Sequence, residues 1–425
     1  MKALQMSVNE QQEATMVIEK SEMQQSVSDV IADKVSTEPF RIASGQHHVH
    51  GWNLFLLKRK FRLQFAKMVL QQYGFSRKAV AVIRNLKKKN IQIHGPTAFR
   101  KWVHASGKNY FYLYAAGYPS ASLQRMMQQE MDRLDQPDTL QLRFAFLAIT
   151  KKCALRCEHC FEWDNINQKE VLSYADLRNI VLKLIDVGIT QLHLSGGEPL
   201  LRVKEIVQLA KEFSSVLDIW VLTSGFNGTA ENIALLKESG VCGFAVSIDH
   251  YLPEEHDRFR KHSGSFEQAT QTIHFARALD MPVALSVCTT RAFCTEEHLH
   301  NYLELARQLD VSFVQILEPK AVGNYSGKDV LLQEHHIRQL ESFYLKYNRD
   351  VQYKNYPIIV YHGYYQRRSG CFTSGNRALY IDTNGEAMSC PFCHCSSGNL
   401  LREDAKTIIS RMRMKGCSSF GTSTI

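Results

Sequence analysis

The sequence predicts an α/β fold in which six parallel strands alternate with helices, followed by a small cysteine-rich region. Six apolar runs have the length and the unbroken hydrophobicity of strands buried on both faces: 143–149, 190–194, 218–222, 243–248, 283–287 and 313–317. Amphipathic segments separate these runs. One of them begins at Ser173, with Asp176 three residues later as a capping signal, and ends at Gly188.

Polar motifs follow each of the predicted strands at the point where the strand ends. The carboxyl ends of parallel strands meet at one face of such a fold, where active sites form. The motifs therefore predict a single site. In chain order they are 153–160, 196–199, 223–225, Ser247 with Asp249, Thr290 with Arg291, and Glu318 with Pro319.

Cys153, Cys157 and Cys160 form the most informative motif, with the spacing C-x3-C-x2-C. Three thiolates on a short loop can hold three corners of a cubic iron–sulfur cluster and leave the fourth iron open, as a catalytic site requires. A zinc knuckle is the alternative, although zinc sites usually carry paired C-x2-C elements. From the triad alone the two are equally supported. Basic residues near the loop would offset the thiolate charge: Lys151, Lys152 and Arg156.

This triad, with Phe161 directly after it, resembles the signature of radical S-adenosylmethionine (radical SAM) enzymes. Gly196, Gly197, Glu198 and Pro199 resemble the GGEP motif of the same superfamily. The resemblance implies a partial (β/α)6 TIM-like barrel. It also implies a [4Fe–4S] cluster on the three cysteines and S-adenosylmethionine as a second cofactor, with Phe161 among the cofactor-binding residues.

Further cofactor contacts are implied by the same resemblance, which covers about residues 141–420. The GGEP backbone and Glu198 would receive the ammonium group of S-adenosylmethionine. Ser224 stands where the superfamily usually has an asparagine. Ser247 and Asp249 match an element expected to contact the ribose, and Arg291 is expected to pair with the cofactor carboxylate. Helix caps and surface ion pairs are the alternatives for these polar residues.

The C-terminal segment has the spacing C-x13-G-x4-C from Cys371 to Cys390. This spacing resembles the auxiliary-cluster domain called SPASM, or its shorter form called twitch. Residues 379–388 predict a hairpin with a Thr-Asn-Gly turn, which would bring the two cysteines towards each other. Five cysteines can ligate one four-iron cluster, which favours the twitch-like form, with zinc as the alternative. C-x2-C spacing favours Cys393 over Cys395, and the expected ligands are Cys371, Cys390, Cys393 and Cys417.

The chain divides into four predicted parts. Residues 1–50 are polar and glutamine-rich, so we expect them to be disordered. Residues 51–138 are a basic α+β region and a candidate recognition module. Residues 141–340 are the radical SAM partial barrel, and residues 365–425 are the auxiliary-cluster domain.

Local patterns within the basic region predict a short series of elements. The predicted helices are 52–73, 76–89, one after Pro96 and one that ends near Leu134; the predicted strands are 91–94 and 110–115; residues 135–138 are a linker.

Charge is unevenly distributed along the chain. Residues 39–129 contain sixteen Lys and Arg and no Asp or Glu, whereas the remainder carries 35 basic and 42 acidic residues. This asymmetry predicts an anionic partner such as a lipid surface, an acidic peptide or a phosphate-bearing molecule; a solvated basic face is the alternative. The helix predicted over 52–73 interleaves apolar and basic residues, so it can lie on an anionic membrane or pack on its own domain.

Composition also limits the class of protein. An odd count of eleven cysteines, most of them clustered, indicates metal ligation in a reducing compartment rather than a disulfide scaffold. Neither a transmembrane helix nor a secretory signal is predicted, because no long apolar run occurs and the N-terminus is polar. We therefore expect a cytoplasmic protein, peripheral to the membrane if the basic helix binds lipid, and no specific nucleic acid.

These features predict a radical SAM oxidoreductase or maturase that reductively cleaves S-adenosylmethionine and abstracts a hydrogen atom from its substrate. An external one-electron donor of the flavodoxin or ferredoxin type is implied. A ribosomally made peptide is the favoured substrate, and a lipid or small anionic metabolite is the alternative. A non-catalytic zinc-binding interaction protein is the alternative of a different class. By position or residue type alone, the candidates for a general acid or base are Glu318, Tyr325 and His362.

Overall fold

The computed structural model describes residues 48–94, 101–136 and 138–420. Disorder was predicted for residues 1–50, of which 1–47 lie outside these ranges, as do the helix after Pro96 and the central proline of the linker 135–138. Residues 48–50 are described, and the prediction is wrong for His48–Val49, which form a strand. The described residues belong to one compact unit of the chain. The basic region and the barrel therefore pack as one body.

The N-terminal region combines a three-stranded antiparallel sheet with helices. The strands are β1 (His48–Val49), β2 (Trp102–Ala105) and β3 (Lys108–Tyr110), and the helices are α1 (Gly51–Tyr73), α2 (Arg77–His94) and α3 (Ala121–Asp135). The inner face of α1 packs on the domain: Phe61, for example, contacts the rings of Trp102 and Tyr118 edge-on. The sequence left two alternatives for this helix, an anionic membrane or its own domain. The inner face of the helix packs on its own domain.

Two predictions in this region are corrected. Residues 91–94, predicted as a strand, continue α2, because the first helix breakers after Lys89 are Gly95 and Pro96. The strand predicted over 110–115 ends at Tyr110. Leu113, Tyr114 and Ala115, which follow, are buried in the core rather than paired in a sheet.

The main sheet confirms the predicted α/β fold with a partial barrel of parallel strands. The six predicted strands are present, and a seventh parallel strand, which the sequence analysis did not identify, continues the series. The strands are β4 (Phe144–Ala148), β5 (Gln191–Ser195), β6 (Asp218–Thr223), β7 (Val241–Ser247), β8 (Val283–Cys288), β9 (Phe313–Leu317) and β10 (Ile358–Tyr361).

Helices connect these strands and cover the outside of the sheet. They are α4 (Tyr174–Asp186), α5 (Val203–Phe213), α6 (Ala230–Ser239), α7 (Pro253–Arg260), α8 (Ser265–Ala278), α9 (Glu296–Gln308), α10 (Glu334–Arg349) and α11 (His362–Ser369). The start of α4 follows the sequence signal. The backbone N–H of Asp176 donates to Ser173 Oγ at 3.2 Å, and the Asp176 carboxylate accepts from the Ser173 N–H at 2.9 Å.

The C-terminal segment extends the same sheet. It contains β11 (Ala378–Ile381), β12 (Glu386–Met388), β13 (Ser396–Asn399) and α12 (Ala405–Lys415). The predicted hairpin is β11–β12, and Gly385 takes the positive φ of +83° at its turn. Strand β11 also pairs in parallel with β4, with Ala378 opposite Phe144. The cysteine-rich region is therefore joined to the barrel through the sheet.

The end of the barrel opposite the polar motifs is closed by the basic region. Tyr110, Leu113 and Tyr114 are buried in a hydrophobic cluster that includes Phe144 and Phe313, the first residues of β4 and β9. These side chains fill the space inside the amino ends of the strands.

Polar contacts hold this closure in place. The ammonium of Lys108 lies 3.2 Å from Asp218 at the start of β6. The N–H of Ser106 donates to the Asp280 carboxylate at 2.7 Å, just before β8. Removing residues 39–129 would therefore open the core of the barrel as well as delete a charged surface.

This packing predicts a specific loss of stability. Leu113→Ala should lower the free energy of unfolding by about 2–5 kcal/mol, because a fully buried side chain leaves a cavity. Leu63→Ala is the matched control, since Leu63 is 60% exposed on α1, and it should change stability by no more than about 0.5 kcal/mol. Equilibrium unfolding in urea measures both. Equal effects would show that residues 103–114 are not part of the barrel core.

Candidate active site

The three cysteines of the first motif lie on the loop that leaves β4. Cys157 is buried, Cys153 and Cys160 are half-buried, and all three border one cavity of about 170 Å³. Burial raises the pKa of Cys153 to about 11 and that of Cys160 to about 12. These thiols are therefore neutral unless a positive charge or a metal compensates the thiolate.

Neighbouring elements fix the path of this loop. The backbone N–H groups of Arg156 and Glu158 donate to the last carbonyls of α7, those of Arg260 at 3.2 Å and Phe259 at 3.0 Å. Helix ends leave such carbonyls without partners inside the helix. On the opposite side, Asn324 donates its backbone N–H to the carbonyl of Cys160 at 2.9 Å.

Gly196 and Gly197 let the GGEP segment lie directly against the cysteine loop. The N–H of Gly197 donates to the Thr150 carbonyl at 2.7 Å, and that of Glu198 donates to the Lys152 carbonyl at 2.7 Å. A Cβ on Gly197 would lie 2.2 Å from the Lys152 oxygen, and Gly196 has a φ of +129°. Only glycine fits both positions without moving the loop.

Glu198 is buried and holds the next loop. Its carboxylate accepts hydrogen bonds from the Thr223 hydroxyl at 2.6 Å and from the Ser224 hydroxyl at 2.5 Å. It also accepts the backbone N–H groups of Ser224 at 2.8 Å and Leu200 at 3.0 Å. Ser224, where the superfamily usually has asparagine, thus bonds Glu198 directly. The predicted contact of Glu198 with a cofactor ammonium stays a prediction.

Asp249 and Arg260 form a buried ion pair beside the cysteines. Arg260 Nη2 lies 2.6 Å from Asp249 Oδ2, and Arg260 Nη1 donates to Cys157 Sγ at 3.5 Å. Burial opposes the charge of Arg260, but the attraction of Asp249 and Cys157 outweighs it and raises the pKa of Arg260. Asp249 also accepts the N–H of Cys288 at 2.9 Å. Both partners therefore stay charged at neutral pH.

The sequence analysis did not identify Arg260 as a cation that contacts the sulfur of Cys157. The basic residues close to the loop in sequence have other partners: Lys151 donates to Asn384 at 2.7 Å, and the guanidinium of Arg156 lies 6.0 Å from the ring of Trp163. Arg260 is the last residue of α7, about a hundred residues after the cysteine loop. Arg260 ends the helix that follows the Ser247–Asp249 element, and this position is the sequence signal that could have identified it.

The other predicted cofactor contacts differ in their placement. Ser247 and Phe161 border the 170 Å³ cavity together with the cysteines, whereas Arg291 does not. Arg291 donates to the Asp329 carboxylate at 3.0 Å and to the Leu331 carbonyl at 2.7 Å. This placement corresponds to the surface ion pair that was the alternative for Arg291. Pro199 begins a short 3-10 turn after Glu198 and is buried.

The C-terminal cysteines border a second cavity of about 390 Å³, formed in part by Cys371, Cys390, Cys393 and Cys417. Cys395 is exposed and is not among the residues that line it. Burial raises the pKa of Cys390 to about 12, and the other three thiols add to this rise because they lie close to it. The structure thus brings the four expected ligands together, and their role as ligands stays a prediction.

The two cavities adjoin, because residues such as Phe161, Glu318 and Phe392 line both. Among the described residues, no three His, Cys, Asp or Glu side chains converge as closely as a single metal ion requires. Each set of thiols instead borders an open volume. The residues of the first cavity fit a cluster with one iron open to a further ligand, since they offer three sulfurs together with the glycine backbone of the GGEP segment.

Comparison with known proteins decides the superfamily. Residues 147–308 match the radical SAM superfamily. This chain carries a radical SAM domain. The match confirms the superfamily predicted for this domain and the cofactors of the domain, a [4Fe–4S] cluster and S-adenosylmethionine.

Curated relatives differ in the substrates that their names state. The GTP 3',8-cyclase of Alkaliphilus oremlandii is 25% identical over 205 residues, which cover 46% of this chain and 63% of the relative. The PqqA peptide cyclase of Rhizobium meliloti is 30% identical over 174 residues, which cover 39% of this chain and 46% of the relative. The chain thus spans less than two thirds of the length of these relatives.

A solved structure shares the fold. Streptococcus suis SuiB bound to its precursor peptide SuiA matches with a TM-score of 0.53 at 12% identity, over 68% of this chain and 69% of that chain. At this identity the similarity shows the fold alone. It agrees with the partial barrel described above.

The close approach of the two loops predicts an effect of Gly197→Ala. The added methyl group must push the Lys152 carbonyl and the cysteine loop away, and a displacement of about 1 Å at a catalytic group can cost about 100-fold in rate. We expect 5′-deoxyadenosine formation from S-adenosylmethionine to fall by about that factor in anaerobically reconstituted protein.

Gly264→Ala is the matched control for this variant. Gly264 has a φ of +79°, and a Cβ there meets no atom within 4 Å, so the change strains the backbone without touching the cysteine loop. It should leave 5′-deoxyadenosine formation within about twofold of the unchanged protein. Wild-type activity in Gly197→Ala would contradict the role given to this glycine.

Proposed function

We propose that the chain reductively cleaves S-adenosylmethionine and abstracts a hydrogen atom from a side chain of a ribosomally made peptide. The observation that carries this proposal is the pair of adjoining cavities, each bordered by its own set of cysteines. A substrate in the larger cavity would lie next to the GGEP side of the smaller one. The similarity to the PqqA peptide cyclase supports a peptide substrate.

The residues of the smaller cavity have distinct tasks in this proposal. Cys153, Cys157 and Cys160 hold the cluster, and the guanidinium of Arg260, kept charged by Asp249, stabilises the Cys157 thiolate. When bound, the cluster and S-adenosylmethionine supply a 5′-deoxyadenosyl radical at the expense of one electron from a flavodoxin- or ferredoxin-type donor.

Two aromatic rings separate the reacting volume from its surroundings. Phe161 and Phe392 meet edge-on at 6.1 Å between the cavities. They limit the access of water and aim the reaction towards the larger cavity.

The second set of cysteines is proposed to hold an auxiliary four-iron cluster. Four thiolates from Cys371, Cys390, Cys393 and Cys417 would leave no iron open, so this cluster would transfer an electron rather than bind substrate. A structural zinc at this site is the alternative.

A small anionic metabolite is the second candidate substrate, because several curated relatives are GTP 3',8-cyclases.

The basic N-terminal region is proposed to bind an anionic partner, either a membrane surface or an acidic peptide. On α1, Trp52 is 77% exposed and Leu63 is 60% exposed, and the exposed Lys60 and Arg62 lie between them. Exposed apolar and basic side chains on one helix suit an anionic surface. No described helix is both long enough and apolar enough to cross a bilayer. We propose a cytoplasmic location, where thiols stay reduced.

The first test addresses the catalytic cluster. Protein reconstituted anaerobically and reduced with dithionite should convert S-adenosylmethionine to 5′-deoxyadenosine. Replacing Cys153, Cys157 or Cys160 by Ala should abolish the product, because each change removes one of three cluster ligands. Cys294→Ala is the control, since Cys294 is a buried thiol that lines neither cavity. Undiminished product in any variant of the triad would refute the assignment.

The second test addresses the auxiliary site. The triple variant with Ala at 153, 157 and 160 should retain about four irons per chain, the content of one such cluster. Adding Cys390→Ala should remove this iron, whereas adding Cys395→Ala should leave it, because Cys395 is exposed outside the cavity. Iron and zinc analysis distinguishes the outcomes. A triple variant with one zinc and no iron would establish the structural alternative.

The third test addresses the basic face. Lys60→Glu with Arg62→Glu should weaken sedimentation with phosphatidylglycerol vesicles by at least about tenfold, since each basic residue near a membrane contributes about 1 kcal/mol. Lys204→Glu with Lys211→Glu, exposed on α5, makes the same charge change elsewhere and should have little effect. Binding should also weaken at 1 M salt, where the Debye length is about 3 Å. Salt-independent binding, or equal loss in both variants, would show that the face is merely solvated.

A further inference from the structure

Aromatic side chains line the inner end of the larger cavity. At its inner end, Tyr114 stacks on Phe144 with ring centres 4.9 Å apart and contacts His362 at 4.9 Å. Phe372 contacts the other side of His362 at 5.0 Å. Aromatic walls of this kind have the character of sites for small, largely apolar groups.

Charge is scarce on these walls, and the charge present is already neutralised. Lys320 is the one Lys or Arg among the described residues that line the cavity, and its ammonium lies 3.1 Å from the carboxylate of Glu318. Glu318 is paired a second time, with Arg367 at 2.7 Å. A nucleoside triphosphate needs several cationic groups or free backbone donors to replace the water around its phosphates. The lining residues that the structure describes do not provide such a set of cationic groups.

One polar group at the inner end has no partner. Among the described residues, Nδ1 of His362 is buried and makes no hydrogen bond. Burial lowers the pKa of His362 to about 4, so the imidazole is neutral at pH 7 and carries one donor and one acceptor nitrogen. Buried polar atoms are almost always satisfied, by protein, by water or by a ligand.

We propose that this cavity receives an uncharged aromatic group whose hydroxyl or ring N–H forms a hydrogen bond with His362. This inference rests on the proposed function and narrows its substrate class to an aromatic side chain, and it disfavours a nucleotide. Gln315 lies at the same end of the cavity as His362. Its amide donates to the Tyr114 hydroxyl at 2.6 Å and so fixes that ring as the floor of the cavity. His362 is therefore a specificity-determining residue.

The test uses the full chain, anaerobically reconstituted and with S-adenosylmethionine present. The probes are p-cresol, which carries a hydroxyl, toluene, which has the same shape without it, and GTP. Equilibrium dialysis measures the binding of each. We expect the protein to bind p-cresol and toluene. The concentration of GTP should be the same in the protein compartment and in the buffer compartment.

His362→Phe isolates the hydrogen bond. This variant should weaken the binding of p-cresol by about tenfold, the value of one buried hydrogen bond, and should change the binding of toluene by less than about twofold. His104→Phe, on the exposed side of β2, is the control and should change neither. Ala321→Trp, at the exposed edge of the cavity, should weaken both probes equally by narrowing the entrance.

The outcomes separate this inference from the proposed function, because 5′-deoxyadenosine formation is measured in the same samples. Cleavage of S-adenosylmethionine without retention of either aromatic probe, or with displacement of p-cresol by GTP, overturns the inference alone. Equal effects of His362→Phe on both probes overturn the hydrogen bond. Retained probes without any cleavage support the cavity assignment and reject the proposed function.

Discussion

The backbone pairing between the GGEP segment and the cysteine loop is the constraint on which the site depends. Hydrogen bonds from Gly197 and Glu198 to the carbonyls of Thr150 and Lys152 continue the parallel pairing of β4 and β5 past the ends of both strands. The loop is thereby held in register with the sheet. Glu198 fixes the position of the next loop as well, because its carboxylate accepts hydrogen bonds from Thr223 and Ser224. Three consecutive loops are fixed in this way.

A second constraint acts across the barrel. Helix α7 presents its last carbonyls to the cysteine loop, while Arg260 from the same helix end reaches the Cys157 sulfur. A helix C-terminus disfavours nearby negative charge, and thiolates are negative. The buried guanidinium of Arg260 compensates this effect, and Asp249 keeps it charged and oriented. Cys157 is far in sequence from Asp249 and Arg260, yet the three side chains form one connected cluster in the structure.

Local patterns were sufficient to predict the elements that carry the chemistry. The strand runs, the capping box at Ser173 and the turn at Gly385 each depend on neighbours in sequence, and each is present in the structure. The superfamily was predictable because its motifs are short and contiguous. The partners of Arg260 and Arg291 were not, because the pairing of a long cationic side chain is decided by tertiary contacts. The strand predicted over 110–115 was wrong for a similar reason: an apolar run looks the same in a strand and in a segment that fills the end of a barrel.

The parallel pairing of β11 with β4 determines how the two sets of cysteines are related. Neighbouring strands of a sheet lie about 4.8 Å apart, and the first cysteine loop leaves β4 while β11 lies between Cys371 and Cys390. Side chains lock this relation, since Lys151 on the loop donates to Asn384 in the hairpin turn at 2.7 Å. The spacing between the two cavities is therefore a property of the sheet rather than of a flexible linker. An aromatic group held in the larger cavity would therefore lie at fixed distances from both sets of cysteines.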